Sequence, residues 1–328
     1  MPFYSVNVNE GPILTVLHDG NRPDAQLMRP IHTRATVRYT EAADLADALR
    51  GADALFVYDF LSTAVPGAWH AADRLRWLHI AATGVDTVMF DALRESPVTV
   101  TNTRGVFDSA IAEYVLAQIL AFAKDLPESL RLQQRHTWRH RESERIAGAT
   151  VLVVGTGPIG RAIARLLRAV GMTVRGLGRR AREEDPDFGT VGTDLLAELP
   201  AADYVVAIAP LTESTRGMFD TRAFAAMKPH ARFVNVGRGE LVVTDDLVDA
   251  LRTGTIAGAA LDVVDPEPLP AGHLLWDLPN VQLTPHNSGD FVGWRRDIVT
   301  AFAENFERWI DGRPLENVVD KKLGYVPS

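Results

Sequence analysis

Between residues 150 and 180 the apolar pattern changes period twice. Residues 150–154 (TVLVV) form a short continuous apolar run rich in β-branched residues, the pattern of a strand covered on both faces of a parallel sheet. From Arg161 onward the apolar positions fall at Ile163, Leu166, Leu167 and Val170, a helical spacing that Gly171 ends. Residues 172–177 return to a strand pattern. The turn joining the first strand to the helix is GTGPIG, with Gly155, Gly157 and Gly160 in the G-x-G-x-x-G positions around Pro158 and Ile159. Strand, glycine turn, helix and strand in this order predict a dinucleotide-binding unit. Gly155 permits the tight turn, Gly157 lets backbone approach a pyrophosphate, and Gly160 lets the helix close on the strand. The helix N-terminus then presents unpaired N–H groups and a positive dipole end to the phosphates.

Upstream, strand patterns at 13–17, 35–39, 52–58, 75–81 and 98–102 alternate with a helical stretch at 41–49 closed by Gly51. That alternation predicts a second parallel sheet layered with helices, without a phosphate turn of its own. Residues 108–124 predict a long helix capped by Asp108 or Ser109, apolar over an unusually wide face, so it is expected to be buried between domains or subunits. The arginine-rich stretch 126–146 reads as a solvated helix with an arm packing on a partner, because Glu128, Glu142 and Glu144 interrupt its positive charge. Downstream, strands are expected at 202–209, 231–236, 256–263 and 281–284. Helical stretches are expected from 221, over 244–252 with Thr244 as N-cap and Gly254 as stop, and over 297–310.

A chain of 328 residues exceeds one ordinary core and implies two domains. We place the boundaries so that 1–105 with 291–328 form one domain and 106–290 the other. The net charge of −8 gives no nucleic-acid footprint, and the absence of cysteine excludes disulfides, thiolate zinc sites and cysteine nucleophiles. The N-terminus lacks a signal-peptide pattern, the apolar stretch 111–123 is too short to span a bilayer, and a cytoplasmic setting is expected. No carboxylate or histidine cluster has metal-ligand spacing, so no metal is expected.

Three chemistry-bearing residues follow three consecutive predicted strands: Arg238 in GRGE, Glu267 in DPEP and His286 in PHNSG. Strand ends of a doubly wound sheet converge on one crevice. A guanidinium, a carboxylate and an imidazole there suit hydride transfer to a 2-oxo acid. Guanidinium binds the substrate carboxylate in a fork. Imidazole gives the proton that the developing alkoxide needs, and the carboxylate orients the ring and favours its charged form. Two loops also end strands: 81–86 (AATGVD), a candidate anion nest, and Tyr58-Asp59-Phe60-Leu61, a candidate pocket lining.

The motifs GTGPIG, NVGRGELV, ALDVVDPEPLP and LTPHNSG, in this order and spacing, resemble the D-isomer specific 2-hydroxyacid dehydrogenase family, with AATGVD, NTRGVFDSAIAEYVL and PLTESTRGMF in support. The resemblance implies an α/β fold of two doubly wound parallel-sheet domains, a Rossmann cofactor domain inserted in a flavodoxin-like substrate domain, and a homodimer. It implies that Arg238 binds the substrate carboxylate, His286 is the acid/base and Glu267 its partner, with backbone at Thr83, Gly84 and Val85 helping to hold the carboxylate. It places Asp262 on the nicotinamide amide and Thr103, Pro210, Thr215, Val236, Gly237 and Gly289 along the cofactor. Tyr58, Phe60, Leu61 and Trp294 are expected to set the substrate side chain.

At the end of the second strand, where NAD enzymes place an acidic residue for the ribose hydroxyls, this chain has Gly178-Arg179-Arg180. Arginines attract a 2′-phosphate, so NADPH is expected over NADH, with NAD possible. Glyoxylate and hydroxypyruvate are the expected substrates, on resemblance to other arginine-bearing members. The alternatives are a nucleotide-sensing corepressor-like binding protein and a phosphoglycerate- or phosphite-type dehydrogenase. Long phosphoglycerate dehydrogenases carry an added regulatory domain, and none is expected here.

Overall fold

The structure, a computed structural model, describes residues 11–327. The chain divides into two compact units, Met1–Val106 with Val292–Ser328, and Phe107–Phe291.

Unit 1 runs β1 (Ile13–Leu17), α1 (Ala25–His32), β2 (Thr36–Thr40), α2 (Leu45–Leu49), β3 (Ala54–Val57), α3 (Ala64–Ala68), β4 (Trp77–Ile80), α4 (Asp91–Glu95) and β5 (Thr99–Asn102). The five strands are parallel in the order β2-β1-β3-β4-β5, the flavodoxin-like doubly wound order. β3 and β4 are buried along their whole length, as continuous apolar runs in a sheet covered on both faces should be. Periodicity missed α1, α3 and α4 because they are only five to eight residues long. The start of α1 is fixed instead by Asp24, whose carboxylate accepts from the N–H groups of Gln26 (2.7 Å) and Leu27 (3.3 Å).

Unit 2 runs α5 (Asp108–Ala123), α6 (Leu126–Gln134), β6 (Thr150–Val154), α7 (Pro158–Ala169), β7 (Thr173–Leu177), β8 (Arg182–Asp185), β9 (Gly189–Gly192), α8 (Leu195–Glu198), β10 (Tyr204–Ala207), α9 (Thr221–Ala226), β11 (Arg232–Asn235), α10 (Thr244–Thr253), β12 (Gly258–Leu261) and β13 (Val281–Leu283). Its sheet has the order β13-β12-β11-β10-β6-β7-β9-β8, with only the edge strand β8 antiparallel. Strand order reverses between β6 and β10, the switch point at which open α/β sheets bind ligands. The chain then returns to unit 1 as α11 (Trp294–Ile310), which packs on α1 and pairs Glu307 and Asp311 with Arg34.

Four expectations need correction. The helix of 108–124 has Phe107 at its N-cap, and neither Asp108 nor Ser109 caps it. Thr244 does not cap α10; Val243 holds that position and the Thr244 hydroxyl donates to Asp265 O at 2.8 Å. α11 begins three residues before the expected position 297, at Trp294, because Gly293 (φ +100°) makes the turn into it. The helix expected from 126 stops at Gln134; the stretch to residue 146 has no regular structure and is tied by Arg141 to Asp125 (2.8 Å) and by Glu144 to Arg232 (2.7 Å).

The β8–β9 hairpin was not expected, because its sequence is mostly polar. Its core is Phe188, fully buried, and the carboxylate of Asp185. Asp185 accepts from the Asp187 and Phe188 N–H groups and from both Nη atoms of Arg161 at 3.1 Å. Burial pushes its carboxyl up, but the Arg161 guanidinium and the two N–H groups prevail and hold it at about 2.

Candidate active site

The turn after β6 has the shape that its glycines predict. Gly155 has φ +120°, and a β-carbon there would meet Ile208 O at 2.6 Å; at Gly160 it would meet Gly155 O at 2.0 Å. Both contacts are with backbone, so no side chain fits. Gly157 differs: nothing lies within 4 Å of the position its β-carbon would take. It is the N-cap of the twelve-residue α7, whose first-turn N–H groups have no intrahelical acceptor. Open space that any side chain would fill, beside unpaired donors, fits a dinucleotide pyrophosphate. Pro158 opens α7, and Ile159 and Gly160 are buried behind it. At the end of β7, Gly178 packs against Thr156, and Arg179 and Arg180 are exposed.

Arg238, Glu267 and His286 follow β11, β12 and β13, which are neighbours in the sheet. His286 Nδ1 lies 2.7 Å from Glu267 Oε1, with both side chains about one-third exposed. This short contact fixes the ring and leaves Nε2 as the atom for proton exchange. His286 also has φ +51°, a left-handed conformation that costs a residue with a side chain about 1–3 kcal/mol and persists only where the surroundings impose it. Here Asp262 imposes it. The Asp262 carbonyl accepts from His286 N at 2.8 Å, and its carboxylate accepts from Asn287 N at 3.0 Å and Ser288 N at 2.9 Å. Arg238 follows a similar turn. Asn235, 1% exposed, accepts from Gly237 N at 3.1 Å and donates to Arg238 O at 2.9 Å, while Arg238 Nη1 donates to Gly237 O at 2.8 Å.

Other predicted cofactor residues have tasks within the protein. Asp262 was expected to face a nicotinamide; it is 2% exposed, and its carboxylate also takes the Thr284 hydroxyl at 2.6 Å. The Thr215 hydroxyl donates to Pro210 O at 2.7 Å and accepts from Thr212 N at 2.8 Å, which shapes the loop after β10. Val236 is buried, a β-carbon on Gly237 would meet the Leu241 side chain at 2.8 Å, and Gly289 packs on Phe107.

In unit 1, the loop after β4 is pinned by Asn102. Its amide donates to Thr83 O at 2.6 Å, and Thr103 N reaches Ala82 O at 3.1 Å. Val85 is buried and Gly84 half-buried. The hydroxyls of Thr83 and Thr103 are buried with no hydrogen-bond partner in the protein, which suits groups awaiting a ligand. Tyr58 is mostly packing, 5% exposed against Phe56. Phe60 meets the Trp294 ring edge-on at 5.9 Å, and Leu61 is exposed.

Sequence reasoning missed Asn235, Asn102, Thr284 and Tyr114, whose hydroxyl lies 2.5 Å from Thr284 Oγ1. Asn235 and Asn102 end strands and gave a weak signal; Tyr114, inside an apolar helix, gave none. Among the described residues no group of three or more potential ligands is placed to hold a metal, and no helix is long and apolar enough to cross a membrane.

The family model for the NAD binding domain of D-isomer specific 2-hydroxyacid dehydrogenases matches residues 116–288, more than half of the chain. The chain belongs to the D-isomer specific 2-hydroxyacid dehydrogenase family. Among similar members, the glyoxylate reductase of Thermococcus onnurineus is 32% identical over 290 residues, 85% of this chain and 86% of that one. The human glyoxylate reductase/hydroxypyruvate reductase is 32% identical over 255 residues, 75% of this chain and 77% of that one. The crystal structure of the NADPH-dependent glyoxylate/hydroxypyruvate reductase of Sinorhizobium meliloti, in complex with NADP and sulfate, superposes with a TM-score of 0.80 at 28% identity, covering 96% of this chain and all of that one. The resemblance read from the motifs is therefore borne out. So is the fold class, a Rossmann-type sheet in unit 2 and a flavodoxin-like sheet in unit 1. This dehydrogenase's family match falls wholly within unit 2, the unit that carries Arg238, Glu267 and His286.

Proposed function

We propose that the protein reduces a small 2-oxo acid of the glyoxylate/hydroxypyruvate kind at the expense of NADPH, reversibly as a D-2-hydroxy acid dehydrogenase. The observation that carries this reading is the Glu267–His286 pair at 2.7 Å, on a turn held in a left-handed conformation. When bound, the nicotinamide supplies the hydride. Gly157 leaves room for its pyrophosphate at the start of α7, on a turn whose close packing Gly155 and Gly160 permit. Arg238 holds the substrate carboxylate through its planar fork of donors. His286 Nε2 gives its proton to the substrate oxygen as negative charge develops there, and Glu267 stabilises the ring while it is charged. In unit 1, the hydroxyls of Thr83 and Thr103, the backbone of Thr83, Gly84 and Val85, and the side chains of Tyr58, Phe60, Leu61 and Trp294 are the candidates for ligand contact. The relatives named above support the substrate class by their own names.

The cofactor preference rests on Arg179 and Arg180, exposed where a 2′-phosphate needs cations. Glyoxylate and hydroxypyruvate are to be assayed with NADPH and NADH at low cofactor concentration. NADPH is expected to give the higher kcat/KM, and R179E/R180E to reverse the order. Equal use of both cofactors by the wild type would remove the preference, and no turnover with any 2-oxo acid would remove the whole reading. E267Q sharpens the chemistry. Because the carboxylate orients the proton-donating ring, its loss is expected to lower kcat at least about tenfold while the Kd for NADPH stays within about twofold. A homodimer and a cytoplasmic setting belong to the same proposal, and sedimentation of the purified chain tests the first.

A further inference from the structure

We propose that Tyr114 and Thr284 are positioning residues for His286, acting through Asp262. The proposal rests on the reading of His286 as the proton donor, and goes beyond it by naming what holds that donor in place. Tyr114 OH lies 2.5 Å from Thr284 Oγ1, and Thr284 Oγ1 donates to Asp262 Oδ1 at 2.6 Å. A hydroxyl has one proton. Thr284 spends its proton on Asp262, so Tyr114 must be the donor to Thr284. The chain of donation has a single direction, from Tyr114 through Thr284 to Asp262.

Asp262 is where this chain meets the catalytic turn. Its Oδ1 receives the Thr284 hydroxyl and the N–H of Asn287, its Oδ2 receives the N–H of Ser288, and its backbone carbonyl receives the N–H of His286. Rotation of the Asp262 carboxylate would release two of the N–H groups that keep His286 at φ +51°. The Thr284 hydroxyl resists that rotation by adding a third bond to the carboxylate, on Oδ1. Tyr114 in turn stops the Thr284 hydroxyl from rotating. Burial pushes the Tyr114 phenol up to about 12, so it stays a donor throughout the working pH range. Tyr114 sits midway along α5, and α5 packs on α7, the helix that opens at the glycine turn. The same rigid helix therefore supports the cofactor turn and the donor turn.

The experiment compares T284V, T284S and Y114F with the wild type in the full chain, with two readouts. The first needs no turnover: the ring N–H signal of His286 in ¹⁵N-histidine-labelled protein, identified by its loss in H286N. The ring bonded to Glu267 should give a sharp downfield signal in the wild type and T284S, a broadened one in Y114F, and none in T284V. The second is steady-state reduction of glyoxylate with NADPH. T284V is expected to lower kcat by about 10- to 100-fold and Y114F by about 3- to 10-fold, with the Kd for NADPH within about twofold, because misplacing a proton donor acts on the chemical step and not on cofactor binding. T284S should restore kcat because it keeps the hydroxyl. A T284V enzyme with an unchanged His286 signal and unchanged kcat overturns the proposal. So does one whose kcat, cofactor affinity and melting temperature fall together without rescue by T284S, and Y114F decides the matter if T284V does not fold. If the wild type turns over no 2-oxo acid, the functional reading fails, and the nitrogen-bound proton signal still decides whether the relay holds the ring.

Discussion

In unit 1 the buried polar side chains Thr15, His79 and Thr101 lie inside strands β1, β4 and β5; in unit 2 Asn235 is the last residue of β11 and Asp262 the first after β12. Both sheets are parallel and doubly wound, yet these groups do different work. In unit 1 they stay within the core: Thr15 Oγ1 donates to Ala48 O at 2.8 Å, and His79 and Thr101 bond to each other. Thr101 Oγ1 accepts from Trp77 Nε1 and pairs with His79 Nδ1, both at 2.8 Å, while Phe302 of α11 stacks on Phe56 and packs against the His79 ring. In unit 2 they reach out of the sheet and hold the backbone of two turns, those of Arg238 and His286. A buried polar group inside a strand specifies packing; one at the C-terminal end of a strand aims a reactive side chain. Asn102 in unit 1 follows the second rule: it ends β5 and pins the Thr83 carbonyl, which is why the loop after β4 is that unit's best candidate for ligand contact.

The largest effect that tests this contrast is on Asn235. N235A removes both side-chain contacts of the Arg238 turn, and is expected to cost roughly 1–3 kcal/mol of stability and to raise the KM for the oxo acid at least about tenfold. Urea unfolding and steady-state kinetics on one preparation measure both, and an unchanged KM would break the division of labour. A smaller effect is expected at His79, and on stability alone. Burial lowers this imidazole from its ordinary 6.5 to about 3. Between these values the unfolded chain binds a proton that the folded chain refuses, so the contribution is whole above about pH 6.5 and is lost as pH falls toward about 3. H79Q should remove an acid sensitivity of at most about 1.4 kcal/mol per pH unit below that point and leave kcat at neutral pH unchanged. Urea midpoints at two pH values that shift in parallel with the wild type would contradict it. The smallest effect is at Thr244. Because its hydroxyl does not cap α10, T244V should cost no more than about 1 kcal/mol, the value of one exposed hydrogen bond, and a loss near 2 kcal/mol would restore the capping role.

Much of unit 2 was legible along the chain. Its strands are continuous apolar runs, its first turn carries three glycines that backbone crowding or an approaching phosphate requires, and its charged residues stand just past strand ends. The short helices of unit 1 were not legible, since five to eight residues carry too few turns to show a period. The β8–β9 hairpin was hidden because an ion pair between Arg161 and Asp185, distant in sequence, supports it in place of an apolar alternation.

By itself the sequence determined the parallel-sheet architecture and the dinucleotide turn, and it singled out Arg238, Glu267 and His286 as candidates, because periodicity and close approach depend on neighbouring residues. Only the tertiary structure decided how those side chains are held. Asn235 and Asp262 gain their meaning from turns that fold back onto them, and Tyr114 meets Thr284 across 170 positions of chain. Hydrogen-bond direction is a property of atoms brought within 3 Å of one another, and no local pattern of residues encodes which distant atoms those will be.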